Sequence, residues 1–417
     1  MSLHAEKNIL NDYSIFRKIT IRQSIFIILS EQLLKIIQVG NITIILPNGR
    51  SISSNANNSD LNAVIHVYNI DAIRRLITGG SIGFAESYML GHWTSPDLTK
   101  LIEIAALNGE VLSRKLSGGL LSRLVNFVEH KLRKNSKSGS KNNIQFHYDL
   151  GNSFYECWLD KQMIYSSAIN QCNDESLEDA QENKISRIVH LLELENEDRV
   201  LEIGCGWGAL SRKIAENNAY VHGITLSHEQ LKYAKESIRS TRIAPRITFS
   251  FTDYRDIRET YDRIVSVEMI EAVGKEYLPI YFQTISRSLK LDGIAVIQAI
   301  SIDERRFDRY NSTPDFIQKY IFPGGFLPTK TLIYEEAEKA GLQISYVEYF
   351  GESYAWTLNQ WMKRFTETWH DIEAIGFDIR FKKMWEFYLC YCEGGFKAKS
   401  IDVGLYVIKH KNYYLNG

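Results

Sequence analysis

Val200-Leu201-Glu202-Ile203-Gly204-Cys205-Gly206-Trp207-Gly208 reads as a buried strand that empties into a glycine turn. Gly204, Gly206 and Gly208 form G-x-G-x-G, one residue shorter than the dinucleotide fingerprint G-x-G-x-x-G, in which a pyrophosphate rests on a helix N-terminus. The spacing therefore argues against a dinucleotide. Glycine lets the backbone come close to a ligand, so the turn reads as a cofactor loop whose chemistry is set by what surrounds it.

Working outward, the chain alternates as a doubly wound α/β sheet does. Strand Tyr220-Val221-His222-Gly223-Ile224 is followed by a helix from Ser227 to about Arg239, then by strand Ile247-Thr248-Phe249-Ser250-Phe251. Ser227 with Gln230 makes a capping box that starts this helix. Asp253 stands just after the next strand, where ligand loops collect in open sheets. Arg263 to Val267 runs into Glu268-Met269-Ile270-Glu271, and Ile294 to Gln298 follows the turn Leu291-Asp292-Gly293. Five strands at this rhythm predict a Rossmann-like, doubly wound fold, and the glycine turn resembles that of the class I methyltransferases. In that class a turn of this kind carries the amino-acid part of S-adenosylmethionine, and Glu202 is placed to face its ammonium.

The composition sets outer limits. With 417 residues, 44% of them hydrophobic, and a formal charge of -1, the chain has material for two domains and carries no overall bias toward nucleic acid. The apolar run Ile25 to Leu29 is too short to span a bilayer and no cleavable signal pattern precedes it, which predicts a cytoplasmic protein. The cysteines at 157, 172, 205, 390 and 392 make no metal pattern, and Cys390 and Cys392 read as helix packing.

Residues 1–113 predict a small α+β domain, with strands Ile42 to Leu46 and Ala63 to Tyr68 and a helix from Asp71 through Ile77, broken at Gly79-Gly80-Ser81-Ile82-Gly83. Residues 114–142 form a basic linker, in which Arg114, Lys115, Arg123, Lys131, Arg133, Lys134, Lys137 and Lys141 face the lone acid Glu129. Such a stretch is either a solvated spacer or a contact for anionic phospholipid, at about 1 kcal/mol per basic residue. Residues 143–417 make the third segment.

That segment opens with Phe146-His147-Tyr148-Asp149-Leu150-Gly151-Asn152-Ser153-Phe154-Tyr155, followed by Met163-Ile164-Tyr165-Ser166-Ser167-Ala168. Together with the glycine turn, Gly223 to Ser227, Asp253-Tyr254-Arg255-Asp256, Tyr320-Ile321-Phe322-Pro323-Gly324-Gly325 and Leu327-Pro328, it resembles the cyclopropane-fatty-acyl-phospholipid synthase family over roughly residues 143–402. The resemblance implies S-adenosylmethionine held by Tyr165 and Ser166, by Gly204 and Gly206, by Thr225, Leu226 and Gln230 at the ribose and adenosine, and by Asp253 and Tyr254 at the adenine end. It implies methyl(ene) transfer to the double bond of an unsaturated acyl chain in membrane phospholipid, with a cyclopropane ring as product. It further implies a peripheral position at the inner face of the membrane, and it admits a homodimer. An aromatic-rich helical cap over about 300–370 is expected to bind the acyl chain and to stabilise a carbocation by cation–π attraction of about 0.5–2 kcal/mol per ring. Its candidates are Phe316, Tyr320, Phe322, Phe326, Tyr349, Phe350, Tyr354, Trp356, Trp361 and Phe365.

The proton acceptor departs from the family pattern. The resemblance implies a bicarbonate ion held by a cysteine, a glutamate, a histidine and a tyrosine. Glu271 matches the glutamate, whereas the cysteine position reads Ser167, the histidine position Gln298 and the tyrosine position, beside Trp361, Met362. Ser167 and Gln298 still donate hydrogen bonds, whereas Met362 does not. Losing a donor from a buried anion site costs about 1–3 kcal/mol, so bicarbonate is expected to bind more weakly. Glu271 itself or His147 then stands as proton acceptor, and a methyl or methylene branch becomes the alternative product.

Two other classes compete. Amine methyltransferases share part of the architecture, but the Tyr320 to Gly325 segment, the tail Glu393-Gly394-Gly395-Phe396-Lys397-Ala398 and the basic linker favour a lipid. A lipid-binding protein without activity predicts a damaged cofactor loop, and the loop is intact.

Overall fold

The computed structural model describes residues 21–56, 60–115, 139 and 150–411. The chain divides into two compact units, residues 1–124 with 378–398 and residues 125–377 with 399–417. The expected 143–417 domain is thus interrupted. Its helix Ile379–Lys397 packs in the first unit, where the buried Glu393 accepts from Thr99 Oγ1 at 2.9 Å and pairs with Lys397. Cys390 is buried on the same helix, as expected of a packing residue.

The first unit is α+β. Strands β1 (Asn41–Ile45), β2 (Ser51–Ser53), β3 (Asn62–Val67) and β4 (Trp93–Thr94) form a sheet of order β2-β1-β3-β4. The sequence predicts a helix ending at Ile77. The chain instead stays helical over Asp71–Met89 and is only kinked, at Gly80, because Ile82, Ala85, Tyr88 and Met89 resume the buried face. Trp93, fully buried, stacks on Phe84 at 4.0 Å and anchors this sheet. Arg114 and Lys115 close the helix Gly109–Lys115, while the rest of the basic linker save Gly139 lies outside the described residues, as does His147.

In the second unit a seven-stranded sheet runs β10-β11-β9-β8-β5-β6-β7. Its parallel part consists of β5 (Arg199–Ile203), β6 (Tyr220–Thr225), β7 (Ile247–Phe251), β8 (Tyr261–Val267) and β9 (Leu289–Ile302). Strand β11 (Ile401–His410) lies antiparallel to β9 and to β10 (Leu342–Tyr349). The five predicted strands are all present in the parallel part. Leu291-Asp292-Gly293, expected as a turn, lies within β9, because the pairing jumps from Tyr261↔Leu289 to Arg263↔Ile294 and the extra residues bulge outward.

The chain order places β5 next to β8 and reverses direction there, so the carboxyl ends of β5, β8 and β9 open on one crevice. No helix among the described residues is long and apolar enough to cross a membrane.

Candidate active site

The glycine turn is built as its sequence requires. Gly206 sits at φ +52 and Gly208 at φ +87. A Cβ at Gly208 would lie 2.8 Å from the Phe249 ring, so this glycine serves internal packing. A Cβ at Gly206 would meet nothing within 4 Å, which leaves open space for a ligand against the turn. Glu202, one residue before the end of β5, is buried and accepts from Ser211 Oγ, and loss of solvent pushes its carboxyl up to about 8.

Along β6 the helix His228–Ile238 starts where expected, with Ser227 Oγ accepting from Gln230 N at 3.2 Å. The capping box is only half formed. Gln230 turns its side chain to Thr225, whose hydroxyl donates to Oε1 at 3.1 Å, while Leu226 beside them is half-buried. Thr225 and Gln230 are therefore adjacent at the carboxyl end of β6. Asp253 is tied to Arg255 by a buried pair at 2.6 Å. Tyr254 packs edge-on against Tyr281 in the core, and its hydroxyl has no hydrogen-bond partner among the described residues.

The densest polar cluster lies at the ends of β8 and β9. Glu268, half-buried just past the end of β8, holds a left-handed backbone (φ +48), which few residues other than glycine adopt. Its Oε1 accepts from Ser167 N at 2.8 Å and from Gln298 Nε2 at 2.7 Å, and its Oε2 accepts from Tyr354 Oη at 2.6 Å. Three elements distant in sequence thus converge on one carboxylate. Ser167 reaches it through its backbone N–H, because its hydroxyl donates to Ala168 O at 2.9 Å. The serine hydroxyl expected as an anion donor is turned away.

Glu271 lies three residues further on. Its Oε1 accepts from Ile300 N at 2.6 Å, its Oε2 has no partner among the described residues, and its backbone carbonyl accepts from Phe326 N at 2.8 Å, just beyond the Phe322 to Gly325 segment. Burial, reinforced by the charge of Glu268, pushes its carboxyl up to about 8. Burial also raises Glu268, but the three donors oppose that rise. Of the pair, Glu268 is the one whose charged form is favoured by donors, and Glu271 is the one left to hold its proton.

Lys184 joins the two halves of the site. It is buried, donates to Ser166 Oγ at 2.7 Å, and is pushed down to about 8 by burial against the opposing pull of Glu268, Asp160 and Glu202. Met269, between the two glutamates, lies 3.2 Å from where a Gly204 Cβ would stand, so the acidic loop touches the glycine turn.

Aromatic rings wall the cluster. Tyr165 lies 5.5 Å from Trp158, 5.3 Å from Trp361 and 6.4 Å from Phe322, and Tyr354 meets Trp361 edge-on at 6.2 Å. Of the expected cap aromatics, Phe322, Tyr354 and Trp361 are thus gathered here. Phe326 packs with Phe307, Phe365 with Phe154 and Tyr349 with Tyr406.

Sequence reasoning placed the site tyrosine at Met362, which is half-buried and accepts from Thr366 through its backbone carbonyl. Eight positions earlier on the same helix, Gly351–Glu367, Tyr354 is the tyrosine that reaches the cluster, because that turn of the helix faces β8. Glu268 and Lys184 were missed. Glu268 was visible as an acid at the carboxyl end of an apolar strand. Lys184 gave no signal, since a lysine in an amphipathic helix reads as solvated.

The profile described as mycolic acid cyclopropane synthetase matches residues 135–405. The tuberculostearic acid methyltransferase UfaA1 of Mycobacterium tuberculosis is 36% identical over 349 residues, covering 81% of each chain. The cyclopropane-fatty-acyl-phospholipid synthase of Escherichia coli is 36% identical over 355 residues, covering 83% of this chain and 87% of that one. Among solved structures, the mycolic acid cyclopropane synthase CmaA1 complexed with SAH and CTAB superposes with a TM-score of 0.60 at 27% identity, covering 64% of this chain and 97% of that chain.

Proposed function

The chain belongs to the mycolic acid cyclopropane synthetase family, and on that premise we propose that it transfers a methyl(ene) group from S-adenosylmethionine to the double bond of an unsaturated acyl chain in membrane phospholipid. It is an S-adenosylmethionine-dependent methyltransferase. The open face of Gly206 fits the close approach of a ligand to the turn. In this reading Gly204 and Gly206 hold the methionine part, Glu202 faces its ammonium, and Thr225, Leu226 and Gln230 take the ribose. Asp253 and Tyr254 line the adenine end, and Tyr165 and Ser166 close over the sulfonium.

When bound, the cofactor supplies an electrophilic methyl on a positively charged sulfur. The chain's own residues do the rest. The observation that carries the reading is the pair of half-buried carboxylates beside Tyr165, Phe322, Tyr354 and Trp361 and touching the glycine turn through Met269. Aromatic faces shelter a developing carbocation, and a buried carboxylate beside them takes the proton that must leave. An amine substrate needs a nearby carboxylate but no shelter for a carbocation.

Ring closure is the principal reading. Methyl or methylene branching of the same lipids is the second, and the replacement of the expected cysteine and histidine by Ser167 and Gln298 favours it, because a repositioned acceptor removes a different proton. The basic linker supports work at an anionic membrane face. The test compares vesicles of monounsaturated and fully saturated phospholipid, with methyl-labelled S-adenosylmethionine. Label in the unsaturated acyl chains alone supports the reading, and equal label in both defeats it.

A further inference from the structure

We propose that Glu268 takes the place of the free bicarbonate expected from the family pattern, and that its Oε2 is the atom that accepts the proton from the methylated acyl chain. The inference rests on the reading above as to substrate, but its geometric part stands apart from it. A free anion needs convergent donors, and the donors that converge here are Ser167 N, Gln298 Nε2 and Tyr354 Oη. All three already bond to Glu268. Beside them Gln298 Oε1 is unpartnered but an acceptor, Lys184 is turned to Ser166 Oγ, and Glu271 Oε2 can offer an anion one hydrogen bond, through its proton. Admitting bicarbonate to these donors would require either expelling a tethered carboxylate or setting a second negative charge beside Glu268. The residues present do not fit the free ion.

The same bonds select the accepting atom. A carboxylate offers about four lone-pair sites. On Oε1 both are taken, by Ser167 and Gln298, whereas on Oε2 Tyr354 takes one and leaves one. Tyr354 also belongs to the aromatic wall, through Trp361, so the accepting oxygen stands beside that wall. The left-handed backbone at Glu268 is what a chain tolerates where surrounding structure fixes a functional side chain.

The step balances without another reagent. The π pair of the alkene forms the new bond to the methyl carbon, the carbon–sulfur pair stays on sulfur, and the other alkene carbon is left cationic. Glu268 Oε2 then takes a proton, either from the transferred methyl or from a chain carbon next to the cation. The freed carbon–hydrogen pair closes the ring if the proton comes from the transferred methyl, or forms a double bond if it comes from the chain. Glu268 finishes as a carboxylic acid.

The experiment pairs two readouts on the full chain. With 13C-labelled bicarbonate and S-adenosylhomocysteine present, NMR is expected to show no saturable binding to the natural chain and saturable binding to Glu268→Ala. In carbon-dioxide-free buffer the natural chain is expected to methylate lipid at its full rate, while Glu268→Ala loses on the order of 100-fold and regains rate on adding bicarbonate. Glu268→Gln keeps the side-chain volume; with a melting temperature near that of the natural chain it is expected to lose rate to the same degree. Saturable bicarbonate binding by the natural chain overturns the proposal, as does a rate that collapses without carbon dioxide or a fully active Glu268→Gln. If the natural chain methylates no lipid at all, the substrate reading fails, and the binding readout still decides what fills the donor set.

Discussion

Tyr354 Oη donates to Glu268 Oε2 at 2.6 Å, joining the helix Gly351–Glu367 to the end of a strand 86 residues earlier. The bond favours the charged carboxylate, so it holds Glu268 below the value that burial alone would impose.

Tyr354→Phe removes that bond and leaves the ring. The Glu268 carboxyl should then rise, and the acid limb of the pH–rate profile should move upward by roughly one to two pH units, since a bond to a charged group is worth about 1.5–3 kcal/mol. A pH profile of lipid methylation checks it. An unmoved acid limb would make Tyr354 a packing residue.

Gly206→Ala and Gly208→Ala should separate binding from folding. At Gly206 an added Cβ meets no protein atom, so only about 1–2 kcal/mol of left-handed strain is expected, while S-adenosylhomocysteine affinity should fall at least about tenfold. At Gly208 the Cβ presses on Phe249, so stability should fall by about 1–3 kcal/mol beyond the strain. Calorimetric titration and thermal melting read the two effects.

Glu271 ties stability to pH in a definite direction. Its carboxyl stands at about 8 when folded against an ordinary value of 4.5. Below 4.5 folded and unfolded chains both hold the proton. Between 4.5 and 8 the unfolded chain releases it and the folded chain does not, so stability falls as pH rises, and above 8 the loss levels off. Glu271→Gln removes this term. Its stability relative to the natural chain should grow by about 2–4 kcal/mol between pH 5 and pH 8, measured by urea unfolding. A pH-independent difference would show that Glu271 is ionised in the fold.

The basic linker predicts a surface effect. Neutralising Lys131, Arg133, Lys134 and Lys137 should lower co-sedimentation with anionic vesicles and leave S-adenosylhomocysteine binding intact. Unchanged sedimentation would make the segment a spacer.

Much of the fold was legible because it rests on local signals. The strand at Val200 to Ile203 and the Ser227 helix start are set by burial and capping within a few residues. The site was legible wherever a residue follows a strand end: Gly204, Gly206, Thr225 and Glu271 stand where the sequence puts them. It failed where geometry comes from the tertiary fold. Whether Tyr354 or Met362 faces β8 depends on the rotation of one helix. Whether Ser167 offers its hydroxyl or its N–H depends on Ala168 O. Lys184 looks like a surface residue until Ser166 and three carboxylates surround it.

Whether this chain places a one-carbon unit on an acyl double bond is decided by NMR and mass spectrometry of oleoyl phospholipid vesicles after incubation with the natural chain and 13C-methyl S-adenosylmethionine. The 13C is expected within the acyl chain, as a cyclopropane methylene or as a methyl or methylene branch at the former double bond. Label in an amine headgroup, or unlabelled lipid from a chain that still binds S-adenosylhomocysteine, would contradict it.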